Sequence, residues 1–167
     1  MSMSHASPPP PFSSQDFRLA LGMFATGVTV VSTRGEDGQL LGVTVSSFNS
    51  VSLSPPLVLW SLGLQSRRLP TFATCSHFAV NVLSAAQVDL ARHFAQSGAT
   101  WDTVPHLAGL GGAPVLADSL AVFECARRSQ HTEGDHLVFI GEVQRCTRHS
   151  GTPLLYQGGQ FYTETPL

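Results

Sequence analysis

The sequence contains no lysine, and this absence removes several kinds of chemistry at once. Without lysine there is no P-loop for nucleotide phosphates, no Schiff base to a carbonyl cofactor and no lysine general base. Any phosphate must be bound by arginine side chains, hydroxyl groups or backbone amides. The nine positive residues are all arginines scattered along the chain, and the net charge is −2, so we expect no basic face for nucleic acid.

Cysteine is scarce, and long apolar runs are missing. The three cysteines, Cys75, Cys125 and Cys146, lie far apart and form no C-x-x-C pair, which predicts neither a zinc site nor a disulfide framework. We therefore expect reduced, mostly structural cysteines and a cytoplasmic protein. Gly, Ser, Thr or Pro interrupts each apolar run well before the roughly 18 residues that a membrane helix needs, so we expect a soluble protein without a membrane partner.

Charged residues are also few, at 12 % of the chain against 43 % apolar residues. This balance excludes disorder for the body of the chain and indicates that a second subunit covers part of the surface.

A length of 167 residues predicts one domain. Residues 1–11 are proline-rich and lack the pattern of a secretory signal, so we expect a disordered lead-in followed by a domain at 12–167.

Local patterns predict a mainly β domain flanked by short helices. Ser13 with Asp16, and Ser84 with Gln87, have the spacing of capping boxes and predict two helix starts. Strands are predicted at 28–33, 40–47, 57–62, 78–83, 120–128, 136–147 and 160–163. Strand 57–62 is apolar on both faces, which predicts complete burial. At least six strands in runs, instead of strict alternation with helices, favour an antiparallel barrel.

Two segments show no clean period. Residues 129–135 are expected to join the last two long strands. Residues 99–114, which include Trp101, contain several glycines and prolines and predict a long loop over the surface or over a site, where such loops often act as lids.

Hydroxyl side chains alternate with valines in residues 42–52. Val43 and Val45 would form an apolar face, and Thr44 and Ser46 a row of hydroxyls. Hydroxyls and free amides at a strand end can hydrogen-bond the carbonyls of a flat heteroaromatic ring and the oxygens of a phosphate. Taken alone, the pattern favours an ordinary solvent-facing strand, with a ligand site as the alternative.

Two histidines and two carboxylates lie within residues 131–136, a composition that suggests a metal site. Neighbouring side chains on a strand point to opposite faces, so Asp135 and His136 do not converge easily on one ion. We therefore predict a structural or catalytic role for His136 and no metal site.

Several motifs, taken in order, resemble the flavin reductase-like family of split β-barrels, and the resemblance extends from Phe12 to Tyr162. The motifs are FATGVTVV at 24–31, GVTVSSFNSVS at 42–52, Pro55-Pro56, FAVNVL at 78–83, Phe94-Ala95, Gly134-Asp135-His136 and PLLY at 153–156. The ordered set is far more specific than any one motif.

The resemblance implies a homodimeric, antiparallel, Greek-key-like barrel that binds FMN or FAD non-covalently and reduces it with NADH or NADPH. Many members of the family are the small component of two-component monooxygenases, which implies an oxygenase partner. The cofactor-binding residues implied by the motifs are Thr44, Val45, Ser46 and Ser47 at the ring edge and ribityl phosphate, Ser66 and Arg67 at the phosphate, Phe94 and Ala95 beside the ring, and also Asn81 and Trp101. His136 would face the nicotinamide.

Two departures from the family pattern concern phosphate binding. Ala99-Thr100-Trp101 stands where the family often has an acidic-basic-aromatic triplet, and Ser66-Arg67-Arg68 stands where it often has Ser-x-Thr. One of these two arginines is therefore expected to replace the lost charge.

The resemblance implies hydride transfer from nicotinamide C4 to flavin N5, for which the protein supplies orientation and polarity. His136 would donate to either cofactor; the alternative is that it anchors the start of its strand. Two other functions share the fold. They are a flavin-binding electron carrier or oxidase of the pyridoxamine phosphate oxidase type, and a binding module without catalysis. Gly134-Asp135-His136 favours the reductase.

Overall fold

The computed structural model describes residues 11–166, so the predicted lead-in at 1–11 lies almost wholly outside the described residues. The described chain contains short helices and many strands. They are α1 (Ser14–Gly22), β1 (Thr26–Gly27), β2 (Thr29–Arg34), β3 (Leu40–Val45), β4 (Asn49–Leu53), β5 (Pro56–Gly63), α2 (Leu69–Thr74), β6 (His77–Val82), α3 (Val88–Ala95), β7 (His106–Ala108), β8 (Pro114–Leu116), β9 (Ala121–Glu133), β10 (His136–Arg148), β11 (Leu154–Gln157) and β12 (Gln160–Thr163). Among residues 11–166, no helix is long and apolar enough to cross a membrane.

One antiparallel sheet dominates the fold, in the order β3-β2-β6-β9-β10-β5-β4. Strands β1, β11 and β12 form a second sheet, and β7 and β8 form a third. Ser47, between β3 and β4, donates its hydroxyl to the Ser61 carbonyl of β5 (3.2 Å) and accepts a hydrogen bond from the Ser61 amide (3.0 Å). This contact brings the two ends of the large sheet together, and the predicted antiparallel split barrel is confirmed.

The interior of the barrel is an aromatic cluster centred on Trp60, whose side chain is fully buried. Its ring stacks on Phe139 with centroids 4.4 Å apart and meets Phe72 and Phe78 edge-on at 5.0 and 5.7 Å. Offset and edge-to-face pairs of this kind are the favoured arrangements of aromatic rings. Valines of β2, β3, β5 and β6 fill the space around the cluster.

Both predicted capping boxes are present. At α1 the Asp16 amide donates to Ser13 Oγ (3.0 Å) and the Ser13 amide donates to Asp16 Oδ2 (3.2 Å). At the second site the Ser84 amide donates to Gln87 Oε1 (3.0 Å), and a single 3₁₀ turn leads from there into α3. The sequence therefore located both helix starts correctly.

Three details of the predicted elements are wrong. Strand β5 is buried on one face only, with Val58, Trp60 and Leu62 inward, because its other face borders an open groove. Strand β9 continues to Glu133, and the hairpin needs only a two-residue turn because Gly134 adopts a positive φ of 59°.

Residues 99–114 do not form an open loop or a lid. Trp101 and Val104 are buried in the core, and β7 pairs with β8. The Leu110 amide also donates to Glu124 Oε2 (2.7 Å). The same carboxylate accepts hydrogen bonds from two nitrogens of Arg145. Composition alone does not reveal these anchors, because each partner lies far away in the sequence.

Asn81 ties the sheet to the β7–β8 unit. It is fully buried, and its amide nitrogen donates to the Val30 carbonyl (2.9 Å) and to Ser32 Oγ (3.1 Å). Its amide oxygen accepts from the Leu116 backbone (2.9 Å). Both the amide nitrogen and the amide oxygen of this side chain are therefore engaged in holding the fold together.

Replacing Asn81 with Ala should destabilise the protein by about 2–4 kcal/mol, because buried groups at Val30 and Leu116 lose their partner. The measurement is the free energy of unfolding in urea. Asn49→Ala, at an exposed position on β4, is the matched control and should change stability by less than about 0.5 kcal/mol. Equal effects of the two substitutions would contradict this assignment.

Candidate functional site: a cleft between β3 and α3

A cleft of about 460 Å³ opens between the end of β3 and helix α3. Its lining is mostly apolar, with hydroxyls on one side and an arginine on the other. The lining residues are Val28, Thr44, Val45, Ser46, Arg92, Ala95, Tyr156, Gly159 and Phe161. A mostly apolar cavity of this size with a few polar groups is typical of a small-molecule site.

Helix α3 forms one wall of this central cleft because it lies unusually close to β3. A Cβ atom at Gly42 would lie 2.7 Å from Phe94 Cδ1 and 2.9 Å from Trp101 Cζ2, so glycine is required there. The Thr44 hydroxyl then donates to the Ala91 carbonyl of α3 (2.7 Å). One side chain of the predicted hydroxyl row is thus committed to positioning the wall.

The opposite wall is the chain leaving β3. Ser46 and Ser47 follow the last residue of the strand, and within the described residues their backbone amides donate to no backbone carbonyl. Ser46 is exposed at the cleft. Free amides and a hydroxyl at a strand end are suitable donors for the carbonyl groups of a bound ligand.

A basic pocket of about 360 Å³ adjoins the central cleft, and Ala95 lines both. It is lined by Gln65, Ser66, Arg67, Arg68, Ala95 and Ser97. Arg68 donates to the Gln96 carbonyl, and burial lowers the pKa of its guanidinium. Arg67 is exposed and forms no ion pair within the described chain, so its charge is available for an anion.

A groove of about 940 Å³ extends from the other end of the central cleft, and Ser46, Tyr156 and Gly159 line both. Its walls are the second half of α1, the outer face of β5 and the turn between β11 and β12. The cleft is therefore the middle part of a longer channel that runs from the basic pocket to α1.

His136 lies at the start of β10, beyond the groove. It pairs in register with Gly63, and opposite residues share a sheet face, so its side chain lies on the outer face that also carries Ser61. His136 Nδ1 is 2.6 Å from Asp135 Oδ1. The hydrogen bond from His136 and its charge lower the pKa of the Asp135 carboxyl, and Arg18 adds to this effect.

The structure brings most of the predicted site residues together. Thr44, Val45, Ser46 and Ala95 line the central cleft, and Ser66 and Arg67 line the basic pocket beside it. Ser47 lines the groove, although its hydroxyl already bonds Ser61. His136 stands apart from these residues, on the outer face of the sheet beyond Ser61.

Three predicted cofactor-binding residues do not reach the cleft. Asn81 and Phe94 have no exposed surface, and Trp101 is 5 % exposed. Asn81 points into the fold because its amide links β2 to β8, whereas Phe94 and Trp101 pack on each other with centroids 4.6 Å apart. The two rings support the back of the cleft instead of lining it.

Sequence reasoning missed five lining residues: Val28, Arg92, Tyr156, Gly159 and Phe161. Arg92 precedes Ala95 by three residues, so helical spacing alone places both on one face of α3. Tyr156 ends one of the family motifs, but nothing local indicates that β11 would line the same cleft as β3. Within residues 11–166, no group of three His, Cys, Asp or Glu side chains could hold a metal ion.

Comparison with known proteins agrees with this architecture. The family model described as "Flavin reductase like domain" matches residues 21–165. The chain belongs to this family. It is 45 % identical over 161 residues to the FMN reductase (NADH) SmoA of Agrobacterium fabrum strain C58, an alignment that covers 96 % of this chain and 92 % of that protein.

Two solved structures extend the comparison. The NADH:FAD oxidoreductase SgcE6 of Streptomyces globisporus C-1027, in complex with NAD and FAD fragments, is 40 % identical with a TM-score of 0.87, covering 96 % of this chain and 98 % of that one. The styrene monooxygenase flavin reductase of Pseudomonas putida S12 is 33 % identical with a TM-score of 0.79, covering 90 % and 99 %. The split-barrel fold and the family identified from the sequence motifs are both confirmed.

Proposed function

We propose that this protein is an NAD(P)H:flavin oxidoreductase that reduces FMN or FAD, and that the flavin binds in the central cleft with its phosphate in the basic pocket. The continuity of the two cavities at Ala95 carries this proposal. An apolar slot with donors along one edge, next to an unpaired arginine, matches a flat heteroaromatic ring joined to a phosphate. Two of the relatives named above, SmoA and SgcE6, carry NADH in their names, so NADH is the expected donor.

When bound, flavin supplies the acceptor for hydride from reduced nicotinamide. The protein's own contribution is binding and polarity. The amides of Ser46 and Ser47 and the Ser46 hydroxyl would donate to the polar edge of a bound ring, which would stabilise negative charge there. Val28 and Phe161 exclude water from the apolar part of the cleft.

Phosphate binding falls to arginine because the chain has no lysine. Arg67 and Ser66, which line the basic pocket, would bind the flavin phosphate there. Arg92 lies in the cleft itself, with its guanidinium 5.7 Å from the centre of the Phe161 ring and Nη1 3.0 Å from Asp89. It supplies positive charge at the cleft, which compensates for the basic residue that the family often carries near position 100.

Substituting Arg67 with Gln tests the phosphate assignment. The variant should raise the KM for FMN and FAD about tenfold or more, since a charge-assisted hydrogen bond is lost. Riboflavin has no phosphate, so its KM should not change. The measurement is NADH oxidation at 340 nm with each flavin, and equal changes with riboflavin and FMN would contradict the assignment.

The same assay tests the wider proposal. Wild-type protein should oxidise NADH rapidly when any one of the flavins is added. Tight flavin binding without NADH or NADPH oxidation would instead indicate an electron carrier or a binding module.

His136 is proposed to contact the nicotinamide through Nε2, because Nδ1 is occupied by Asp135. His136→Ala should lower kcat/KM for NADH about tenfold while leaving the Kd for flavin unchanged. His149→Ala, an exposed histidine at the other end of β10, is the control. If both variants behave like wild type, His136 only anchors the start of its strand.

A homodimer is proposed from an apolar collar on the surface. Helix α1 buries no residue, and the collar comprises Phe17, Leu19, Leu21, Met23, Phe24, Val51 and Leu53. Phe24 is 76 % exposed and Leu53 94 % exposed. So many exposed apolar side chains on one helix and one edge strand need a cover, and a second copy of the chain is the simplest one.

Light scattering should therefore give a mass of twice the 17.8 kDa of one chain. Leu53→Asp should shift the protein towards monomer, because a charge in the collar would be buried without a partner. Leu107→Asp, at a site 72 % exposed on β7 outside the collar, should remain dimeric. A monomeric wild type, or equal loss with both variants, would overturn the proposal.

The proposed physiological role is supply of reduced flavin to a separate oxygenase. The name of the styrene monooxygenase flavin reductase supports this role.

The three cysteines are free, and two of them are buried. Burial raises the pKa of the Cys75 thiol, and it raises the pKa of the Cys125 thiol to about 12, so both stay protonated. Reduced cysteines and a nicotinamide donor are consistent with the cytoplasm.

A further inference from the structure

Two neighbouring arginines line the basic pocket, and they differ in what they contact. Arg67 is exposed and forms no ion pair within residues 11–166. The guanidinium of Arg68 donates a hydrogen bond to the backbone carbonyl of Gln96, and burial lowers the pKa of this guanidinium. Gln96 is the residue at which helix α3 ends. Arg68 therefore already has a partner in the protein, and that partner lies at the end of a cavity wall.

The backbone of Arg68 is anchored to the barrel. Its amide donates to Ser66 Oγ (3.3 Å), and its carbonyl accepts from the amide of Phe72 in α2 (3.2 Å). Phe72 is fully buried and meets Trp60 edge-on in the aromatic cluster. The side chain of Arg68 therefore extends from a fixed point on the barrel to the end of α3.

Helix α3 is held at two carbonyls by side chains from two other elements. Carbonyls at the end of a helix lack a partner within the helix, and basic side chains often bind them. The carbonyl of Gln96 accepts from Arg68, and further up the helix the carbonyl of Ala91 accepts from the Thr44 hydroxyl of β3 (2.7 Å). Between these two carbonyls in the sequence lies Ala95, which borders both the central cleft and the basic pocket.

The Arg68 contact belongs to this chain and not to the family motif. The chain carries Ser66-Arg67-Arg68 where the family often has Ser-x-Thr. A threonine side chain is much shorter than an arginine side chain and has no guanidinium, so it would not span from position 68 to the Gln96 carbonyl. The two arginines thus divide two tasks, because one has a free charge and the other fastens a wall.

We propose that Arg68 is a positioning residue that holds the end of α3, so that Ala95 keeps the central cleft and the basic pocket adjoining. Of the two arginines, only Arg67 binds the phosphate. The proposal rests on the proposed flavin site between β3 and α3. Because Ala95 borders the central cleft as well as the basic pocket, loss of the Arg68 contact weakens binding of the ring and not only of the phosphate.

Riboflavin separates the two tasks, because it has the ring but no phosphate. Arg68→Met keeps much of the apolar length of the side chain and removes its hydrogen-bond donors. The KM of this variant for riboflavin, FMN and FAD should rise by a similar factor, about three- to tenfold. Arg67→Gln should instead raise the KM for FMN and FAD only. The measurement is NADH oxidation at 340 nm with each flavin.

Two further variants complete the comparison. Arg68→Lys should recover part of the loss, because an ammonium on a long side chain still donates to the Gln96 carbonyl. Arg148→Met removes an arginine from an exposed position at the end of β10 and should leave every KM unchanged. In Arg68→Met, a raised KM for FMN with an unchanged KM for riboflavin would mean that Arg68 binds the phosphate, which overturns the proposal. Unchanged KM values for all three flavins would also overturn it.

A binding measurement distinguishes failure of this proposal from failure of the reductase function. Fluorescence titration gives the Kd of each oxidised flavin without turnover. If wild-type protein binds flavin but oxidises no nicotinamide, the reductase function fails, and a similar rise in all three Kd values in Arg68→Met still supports the role of Arg68. A rise confined to FMN and FAD would contradict that role.

Hydrogen exchange tests the helix itself and needs no ligand. Backbone amides at the end of α3 should exchange about tenfold faster in Arg68→Met than in wild type, whereas those of β6 should not change. Unchanged exchange at the end of α3 would overturn the proposal. Faster exchange throughout the chain would overturn it as well, because Arg68 would then only stabilise the fold.

Discussion

The close approach of helix α3 to strand β3 is the constraint on which the rest of the site depends. A side chain larger than hydrogen at position 42 would collide with Phe94 and Trp101, and the Thr44 hydroxyl fastens the helix through the Ala91 carbonyl. With α3 held there, Ala95 borders both the cleft and the basic pocket. A side chain at Gly42 would therefore displace the wall that the two cavities share.

Because the chain has no lysine, arginine supplies the positive charge along the channel. Every basic side chain that lines the channel is an arginine, and these arginines differ in whether they already have a hydrogen-bond or ion-pair partner. Arg68 is bound to a backbone carbonyl and Arg92 to Asp89, while within residues 11–166 Arg67 and Arg18 form no ion pair. The charges of Arg67 and Arg18 are therefore available to an incoming anion, and the two residues lie at opposite ends of the channel.

Much of the fold was predictable because its determinants are local. Capping boxes at Ser13 and Ser84 and β-branched runs specify elements through contacts within a few residues. The two-residue turn at Gly134 is also local, but the polar residues before it mask the strand. The family resemblance places Trp101 and Asn81 at the ligand site because they lie in or beside family motifs. Their actual partners, Phe94 and Leu116, depend on long-range packing that the sequence pattern does not express.

The central claim is that flavin lies between β3 and α3 with its phosphate at Arg67. A crystal structure of the protein grown with FMN tests it most directly. The account predicts ring density beside Val45, Ser46 and Phe161, with the phosphate within hydrogen-bonding distance of Arg67. Flavin density elsewhere on the protein, or a phosphate that points into the groove towards Arg18, would contradict it.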